Sequence, residues 1–438
     1  MNDLVNAKQQ DSKAAWYAVF VLLLAYVLSF VDRIILSLLV TPIKADLGTT
    51  DAQMGLLMGF AFAIFYTVAG IPIAKYSDVK SRRMIIAIGV FLWSIMTAVC
   101  GLARSFFQLF LARVGVGVGE AALTPAAYSM ISDYFSEDKL GRAMAVYKSG
   151  AMFGGGLAFI IGGAVVGYVV NSDSVILPIL GEMKPWQMAF IIVGLPGVLI
   201  GLLMLTVKEP RRTGIADTLD KKVSISDAIK YMQKRWRIYL FIFLGFAFMG
   251  APISSALTWI PVYLQRIHEM SIPESGRTLG IIIFFLSTSG VIFSGWLIDT
   301  FKKKGFQDGY FKVALMICIV TIPISYFVMN DESLDKTLWW LHPFVFVASM
   351  PLAISATVLQ IVTPNQLRAQ VSAVYMLFLN LITALIVTTG IGFITDFWFK
   401  NEMALGQSIT MVNLLSMFLA FLCLYIAMSN FNKEFTKS

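Results

Sequence analysis

Five ionisable residues lie inside long apolar stretches of this chain: Asp32, Arg33, Arg113, Glu120 and Lys148. A charge at mid-membrane costs about 2.5–3.5 kcal/mol even on insertion scales, so one that is retained reads as functional. Asp32 and Glu120 are the candidate proton carriers, because a carboxyl held in a low-dielectric site exchanges a proton more readily than it stays charged. Arg33 and Arg113 have the planar fork that suits a phosphate or a carboxylate, whether on a ligand or on the empty site. Lys148 joins this substrate set, with snorkelling to the membrane surface as its competing reading. Arg113 and Glu120 are seven residues apart, which puts them within about 20° on one helix face and about 10 Å apart along it. They are placed to bracket a ligand or the Asp32–Arg33 pair. Asp32 and Arg33, about 100° apart around their helix, point to different neighbours. The alternative is a permanent ion-pair network that only holds helices in register. All five lie in the first half of the chain. At depth the second half offers neutral Gln360, Asn380 and Asn413.

The elements that must carry these residues follow from composition. Hydrophobic residues make up 58% of the 438 and charged residues only 14%. A soluble domain carries about 25% charged residues, so lipid is the solvent here. Twelve apolar runs are long enough to span, near 15–43, 51–76, 84–104, 106–135, 141–170, 186–207, 237–265, 275–298, 310–329, 337–361, 366–396 and 403–428. Runs of this length are helices and not the short alternating strands of a barrel. Pro72, Pro125, Pro196, Pro252 and Pro351 should mark bends within them. The first run exceeds a signal-peptide core and has no small-residue cleavage site after it, so it is expected to stay as an anchor. Cys100, Cys318 and Cys423 are isolated in apolar runs, where they read as small hydrophobes; no disulfide, metal or cofactor is expected.

The net charge of +8 reports topology and not a nucleic-acid surface. Most Lys and Arg fall in one alternate set of loops and termini, which predicts cytoplasmic N- and C-termini in a bacterial inner membrane. The richest basic stretch lies between the sixth and seventh runs, at 208–236. It is a linker by composition, and SISDAIKYMQKRWR has the periodicity of a short amphipathic helix on the membrane surface. It separates 1–207 from 237–438, two expected six-helix bundles.

An internal repeat supports that division. After the second run the chain reads Ala74-Lys75-Tyr76-Ser77-Asp78-Val79-Lys80-Ser81-Arg82-Arg83. After the eighth it reads Gly295-Trp296-Leu297-Ile298-Asp299-Thr300-Phe301-Lys302-Lys303-Lys304. Asp133…Arg142 and Pro364…Arg368 form a second echo. Two such units place a substrate site between them at mid-depth.

With these motifs the chain resembles the major facilitator superfamily along its whole length. The loop after the second run, Lys208-Glu209-Pro210-Arg211-Arg212, and Arg113 followed by Gly117 and Gly119 are similar to that family's signatures. The spinster-like branch is the nearest, on Ser29-Phe30-Val31-Asp32-Arg33, on Gln53-Met54-Gly55-Leu56-Leu57 with Tyr66 and Pro72, on Trp93-Ser94, and on Gly115 to Ala121. Span five (Gly150, Gly154, Gly155, Gly156) lacks the proline of the antiporter motif. The resemblance implies an all-α fold of twelve transmembrane helices in two pseudo-symmetric bundles. It implies alternating access, and lysophospholipids or sphingosine phosphate-like lipids as cargo. It also implies that Asp78 and Asp299, with Arg82, Arg83, Arg142 and Arg368, act at the cytoplasmic gate. Asp78 is expected to meet the positive N-terminus of a helix near Pro364.

A proton-driven transporter of an amphipathic or anionic small molecule, acting as a monomer among membrane lipids, is therefore expected. An organic anion/proton symporter or a multidrug exporter is the alternative on the same fold. A lipid cargo would call for aromatic lining, for which Tyr66, Trp259, Tyr263, Phe284 and Tyr375 are candidates, with Asn380 as a polar contact. An enzyme is not expected: His268 and His342 are the only histidines, and no nucleophile–base or metal-spaced motif is present. A channel fits a two-fold repeat poorly. The glycines of spans four and five read as close helix packing.

Overall fold

The computed structural model describes residues 11–77, 79–170, 175–177, 181–212 and 225–435. Twelve helices among them are long and apolar enough to cross a membrane. Spans 1 to 6 are Lys13–Leu38, Asp51–Ser77, Arg82–Cys100, Phe106–Tyr134, Asp138–Val169 and Pro185–Thr206. Spans 7 to 12 are Trp236–Thr258, Ile272–Lys303, Gly309–Met329, Leu334–Val362, Gln370–Phe399 and Glu402–Lys433. A two-stranded antiparallel pair, Val175–Leu177 with Gly181–Met183, lies between spans 5 and 6. The fold is otherwise helical among the described residues.

Hydroxyl residues just before the apolar runs start several of these helices. Ser12, Ser81 and Ser105 accept hydrogen bonds from the main-chain N–H of Ala15, Met84 and Gln108, and Thr50 forms a reciprocal capping box with Gln53. Each satisfies amides that have no partner within the helix itself.

The spans are not uniform rods. Span 7 breaks at Gly250 and span 10 at Met350, just ahead of Pro252 and Pro351, whose rings supply no N–H to the ladder. Span 4 runs as Phe106–Glu120 and resumes at Leu123, two residues before Pro125. Pro72 and Pro196 lie inside their helices without ending them. π-helical turns occupy Ile283–Ser287 in span 8, and Thr383–Thr389 and Ile394–Phe399 in span 11.

By packing, the chain forms two compact units. The first comprises Met1–Thr49, Phe60–Asp220 and Met270–Ile281; the second comprises Thr50–Gly59, Lys221–Glu269 and Ile282–Ser438. The second unit's core includes Phe243, Phe246, Phe311, Ile354 and Leu424. Ala228 and Met232, one turn apart on the linker helix Ile225–Lys234, join that core. The helix expected on a membrane surface thus turns this apolar face onto protein, because i and i+4 share one side.

Candidate functional site

Glycines bring spans 2, 3 and 4 of the first unit together. A Cβ on Gly117 would meet the Phe62 carbonyl at 2.7 Å, and one on Gly119 would meet the Trp93 amide at 2.7 Å. Gly89 on span 3 faces Gly119 and Ala122 just as closely. Close packing is thus what these glycines serve, and it sets the buried ends of Arg113 and Glu120 against spans 1 to 3.

Four of the predicted charges converge there. Arg33 donates through Nε (2.7 Å) and Nη2 (2.5 Å) to one oxygen, Oε2, of Glu120. Glu120 is the last residue of the first segment of span 4, so its carboxylate emerges at a helix break. Its other oxygen, Oε1, has no hydrogen-bond partner among the described residues. The Arg33 guanidinium also lies over the rings of Phe62 (4.5 Å), Tyr66 (5.3 Å) and Phe30 (5.4 Å), and aromatic faces attract a cation. Arg33 remains 29% exposed along its side chain, whereas Glu120 is sealed. The arginine is the accessible member of the pair.

Arg113 is buried and donates through Nη1 to the main-chain carbonyl of Asp32 at 2.9 Å. The Asp32 carboxylate itself is wholly buried and is in no ion pair among the described residues. The Trp93 indole and the Thr97 hydroxyl are the side-chain donors beside it. The Ser94 hydroxyl and the Arg113 Nε are further buried polar atoms of this unit with no hydrogen-bond partner among the described residues. Buried polar groups are ordinarily satisfied, so this concentration marks a place built for water, protons or ligand.

Tyr66 is half-buried, with its hydroxyl 3.4 Å from Thr124. Lys148 is exposed, its ammonium 5.5 Å from the centre of the Tyr128 ring.

The expected wall residues of the second unit sit in different settings. Trp259 is fully buried and donates its indole N–H to the Thr388 carbonyl at 2.8 Å. The Tyr263 hydroxyl donates to the Met329 carbonyl at 3.2 Å. Both polar tips are committed to backbone. Tyr375 lines a cavity of about 130 Å³ with Ser355, Gln360 and Met376. Asn380 is half-buried, and Phe284 packs edge-on to Phe285.

Of the expected gate residues, Asp78 lies outside the described residues. Arg82 is fully buried and pairs with Asp133 and with Glu209 (2.9 Å). It also donates to Ser129 and the Pro210 carbonyl. Glu209 further accepts from the Ser81 hydroxyl at 2.7 Å and the Arg83 amide at 2.9 Å. Burial works to raise the Glu209 pKa, but the bonds from Arg83, Ser81 and Arg82 outweigh it and hold the carboxyl below the ordinary glutamate range. The Arg83 side chain donates to the Val207 carbonyl at 3.3 Å, and Arg368 to that of Thr363 at 3.1 Å. Arg142 and Asp299 are exposed.

Asp133 and Glu209 were not among the residues expected at this gate, although Asp133 stands in the repeat echo Asp133…Arg142 and Glu209 in Lys208-Glu209-Pro210-Arg211-Arg212. Thr97 and Tyr147 carried no charge to draw notice inside an apolar run, and Trp93 was singled out only for the resemblance of Trp93-Ser94.

A family model described as Major Facilitator Superfamily matches residues 22–388. An "MFS-type efflux pump" of Mycolicibacterium smegmatis is 27% identical over 99% of this chain and 97% of its own. A "D-galactonate transporter" of Escherichia coli is 26% identical over 72% of this chain and 74% of its own. The crystal structure of a bacterial homolog to the human lysosomal transporter Spinster, inward-facing and unoccupied, superposes with a TM-score of 0.79. It is 26% identical and covers 96% of this chain and 97% of that one.

Proposed function

Because the chain belongs to the spinster-like part of the Major Facilitator Superfamily, we propose that it is a proton-coupled secondary transporter of an amphipathic anion. Its two halves, 1–207 and 237–438, alternate access to a central site, in one chain acting alone. Both termini face the cytoplasm of a bacterial inner membrane, by the bias of Lys and Arg among the loops.

The observation that carries this reading is the charge balance of the buried cluster. Arg33 and Arg113 offset Asp32 and Glu120 when both carboxyls are ionised. Protonating either carboxyl leaves one positive charge in a low-dielectric site, which is costly until an anion arrives. Proton and anion therefore favour each other's binding. Asp32, wholly buried and in no ion pair among the described residues, and Glu120, with one oxygen free of hydrogen bonds there, are the proton carriers. Arg33, partly exposed and flanked by Phe30, Phe62 and Tyr66, takes the anionic group beside an apolar surface. Arg113 holds the backbone of Asp32 in place, and Lys148 adds positive potential. Tyr375 and Asn380 contribute wall from the second half. Arg82, Arg83, Arg142, Asp299 and Arg368, with Asp78, act at the cytoplasmic gate.

Similarity to the spinster homologue supports a lysolipid-like cargo. The D-galactonate transporter supports a second reading, a polar organic acid, in which the open edge of Arg33 receives a carboxylate. Purified protein in liposomes with an imposed pH gradient distinguishes them, with labelled lysophosphatidylglycerol and D-galactonate as cargo. Asp32→Asn and Glu120→Gln should abolish gradient-driven accumulation of whichever cargo is carried. Full accumulation in both variants would end the proposal.

A further inference from the structure

The linker helix Ile225–Lys234 is held to the core of the second unit through Ala228 and Met232. Its basic end runs on toward the membrane. Lys234 closes the helix, Arg235 makes the turn, and span 7 starts at Trp236. Span 12 ends alongside, at Lys433. A cavity of about 340 Å³ lies between them, within the size range of small-molecule sites. Lys234, Arg235, Arg237 and Lys433 all line it, with Asn430. Among the described residues, no carboxylate does.

Two features point to an anionic ligand at the membrane surface. The first is charge. Lys234, Arg237 and Lys433 are exposed, and none is in an ion pair among the described residues. Like charges around one void repel each other until an anion enters. The second is depth. The Trp236 ring is 52% exposed at the first residue of its span, and an indole in that place marks the headgroup level of a bilayer. The Arg237 guanidinium lies 5.5 Å from the centre of that ring, and Arg235 lies 4.8 Å from the Tyr231 ring, so aromatic faces steady both forks. Ile238 adds apolar wall beside them.

We infer that this cavity binds the two phosphates of a diphosphatidyl lipid of the cardiolipin type, drawn from the leaflet that the start of span 7 and the end of span 12 share. One phosphate would meet two of the four cations and leave the others facing each other. Two phosphates joined by glycerol match all four. The arginines can take a phosphate as a bidentate fork, and the lysines as point charges. A zwitterionic headgroup would set its ammonium among cations. Trp236 and Ile238 offer the glycerol and first methylenes an apolar edge that a soluble diphosphate would leave unused. Bound there, the lipid ties the end of the linker helix to the end of span 12, both within the second unit. The site is separate from the buried charge cluster of the first unit, and neither the cargo nor proton coupling enters the argument.

Native mass spectrometry of the full chain, released from nanodiscs of equal cardiolipin, phosphatidylglycerol and phosphatidylethanolamine, tests the inference. Retained cardiolipin should exceed phosphatidylglycerol by roughly fivefold or more, and phosphatidylethanolamine by a wider margin. Lys234→Gln, Arg237→Gln and Lys433→Gln should each lower cardiolipin retention roughly fivefold, the scale of one basic residue at an anionic surface. All three side chains are exposed, so these variants keep the fold. Lys230→Gln, at an exposed lysine of the same helix outside the cavity, should retain cardiolipin as the wild type does. An equal loss from Lys230→Gln would reduce the effect to diffuse attraction by a basic surface and overturn the site. Equal retention of cardiolipin and phosphatidylglycerol, or retention unchanged in all three cavity variants, would also overturn it. Inorganic pyrophosphate retained in place of cardiolipin would overturn the choice of a lipid.

Discussion

Arg266 clasps Asp51 through both terminal nitrogens, at 2.7 and 2.9 Å, although 215 positions separate them in the chain. Asp51 is the first residue of span 2, fully buried, and Arg266 is only 9% exposed along its side chain. Beside them the Asp396 carboxylate accepts the Ala52 amide at 2.6 Å. The Gly55 and Gly59 faces lie against the backbone of Thr388 and Ala384. Span 2 belongs to the first sequence repeat, and spans 7 and 11 belong to the second. The second packing unit thus contains the start of a helix from the opposite half of the repeat.

Breaking a buried pair by removing one partner costs about 3–5 kcal/mol, because the other charge is left uncompensated. Asp51→Asn should therefore loosen the start of span 2. Hydrogen exchange at the amides of 51–58 should accelerate by roughly a hundredfold or more. Unchanged protection there would mean that the pair contributes nothing to holding this end.

Arg33→Lys keeps the charge at the site but not the fork. A lysine ammonium cannot place two donors on Glu120 Oε2 and also lie flat against Phe62. Cargo affinity should fall by roughly tenfold to a hundredfold, the loss of one or two charge-assisted hydrogen bonds. Arg33→Gln should fall further, and a saturation series of initial uptake rates measures both.

Glu209 carries a pH dependence with a definite sign. Its folded pKa is depressed, so it stabilises the fold above the unfolded value of about 4.3 and loses that contribution as pH falls through the folded value. Glu209→Gln should melt below wild type at pH 7, and the difference should shrink as pH falls below about 4. A gap that stays constant over that range would show that charge is not what Glu209 supplies. Thermal unfolding in detergent across pH 3.5 to 7 makes the comparison.

The glycines should rank by what an added methyl group would meet. Gly119→Ala drives a Cβ onto the Trp93 backbone at 2.7 Å, and Gly115→Ala meets only the Met96 side chain, which can move. Gly295→Ala meets nothing within 4 Å. Overpacking costs typically about 1–3 kcal/mol, so Gly119→Ala should lower the melting temperature most, Gly115→Ala less and Gly295→Ala not at all. Only Gly119→Ala should also impair proton-driven uptake, since it displaces the helix that carries Glu120.

Much was legible from residue types alone. Apolar run length located twelve helices, and prolines marked the breaks at Gly250 and Met350. The cost of charge in lipid singled out Asp32, Arg33, Arg113 and Glu120, and seven-residue spacing put the last two on one face. The motif after span 6 contained Glu209 without revealing that Arg82 was its partner.

Local periodicity says which way a side chain faces, not which helix it meets. That choice depends on close approaches such as Gly117 on Phe62 and Gly119 on Trp93, and on the break after Glu120. So the sequence by itself determined a helical membrane protein with a charged interior in its first half. Only tertiary packing decided that Arg33 takes Glu120 across 87 residues, and that Arg113 grips the backbone of Asp32 while the carboxylate is in no ion pair among the described residues. Only packing gave the buried Arg82 its partners Asp133 and Glu209. Hydrophobicity and helix geometry act within one segment, whereas ion pairs and cavities arise where distant segments meet.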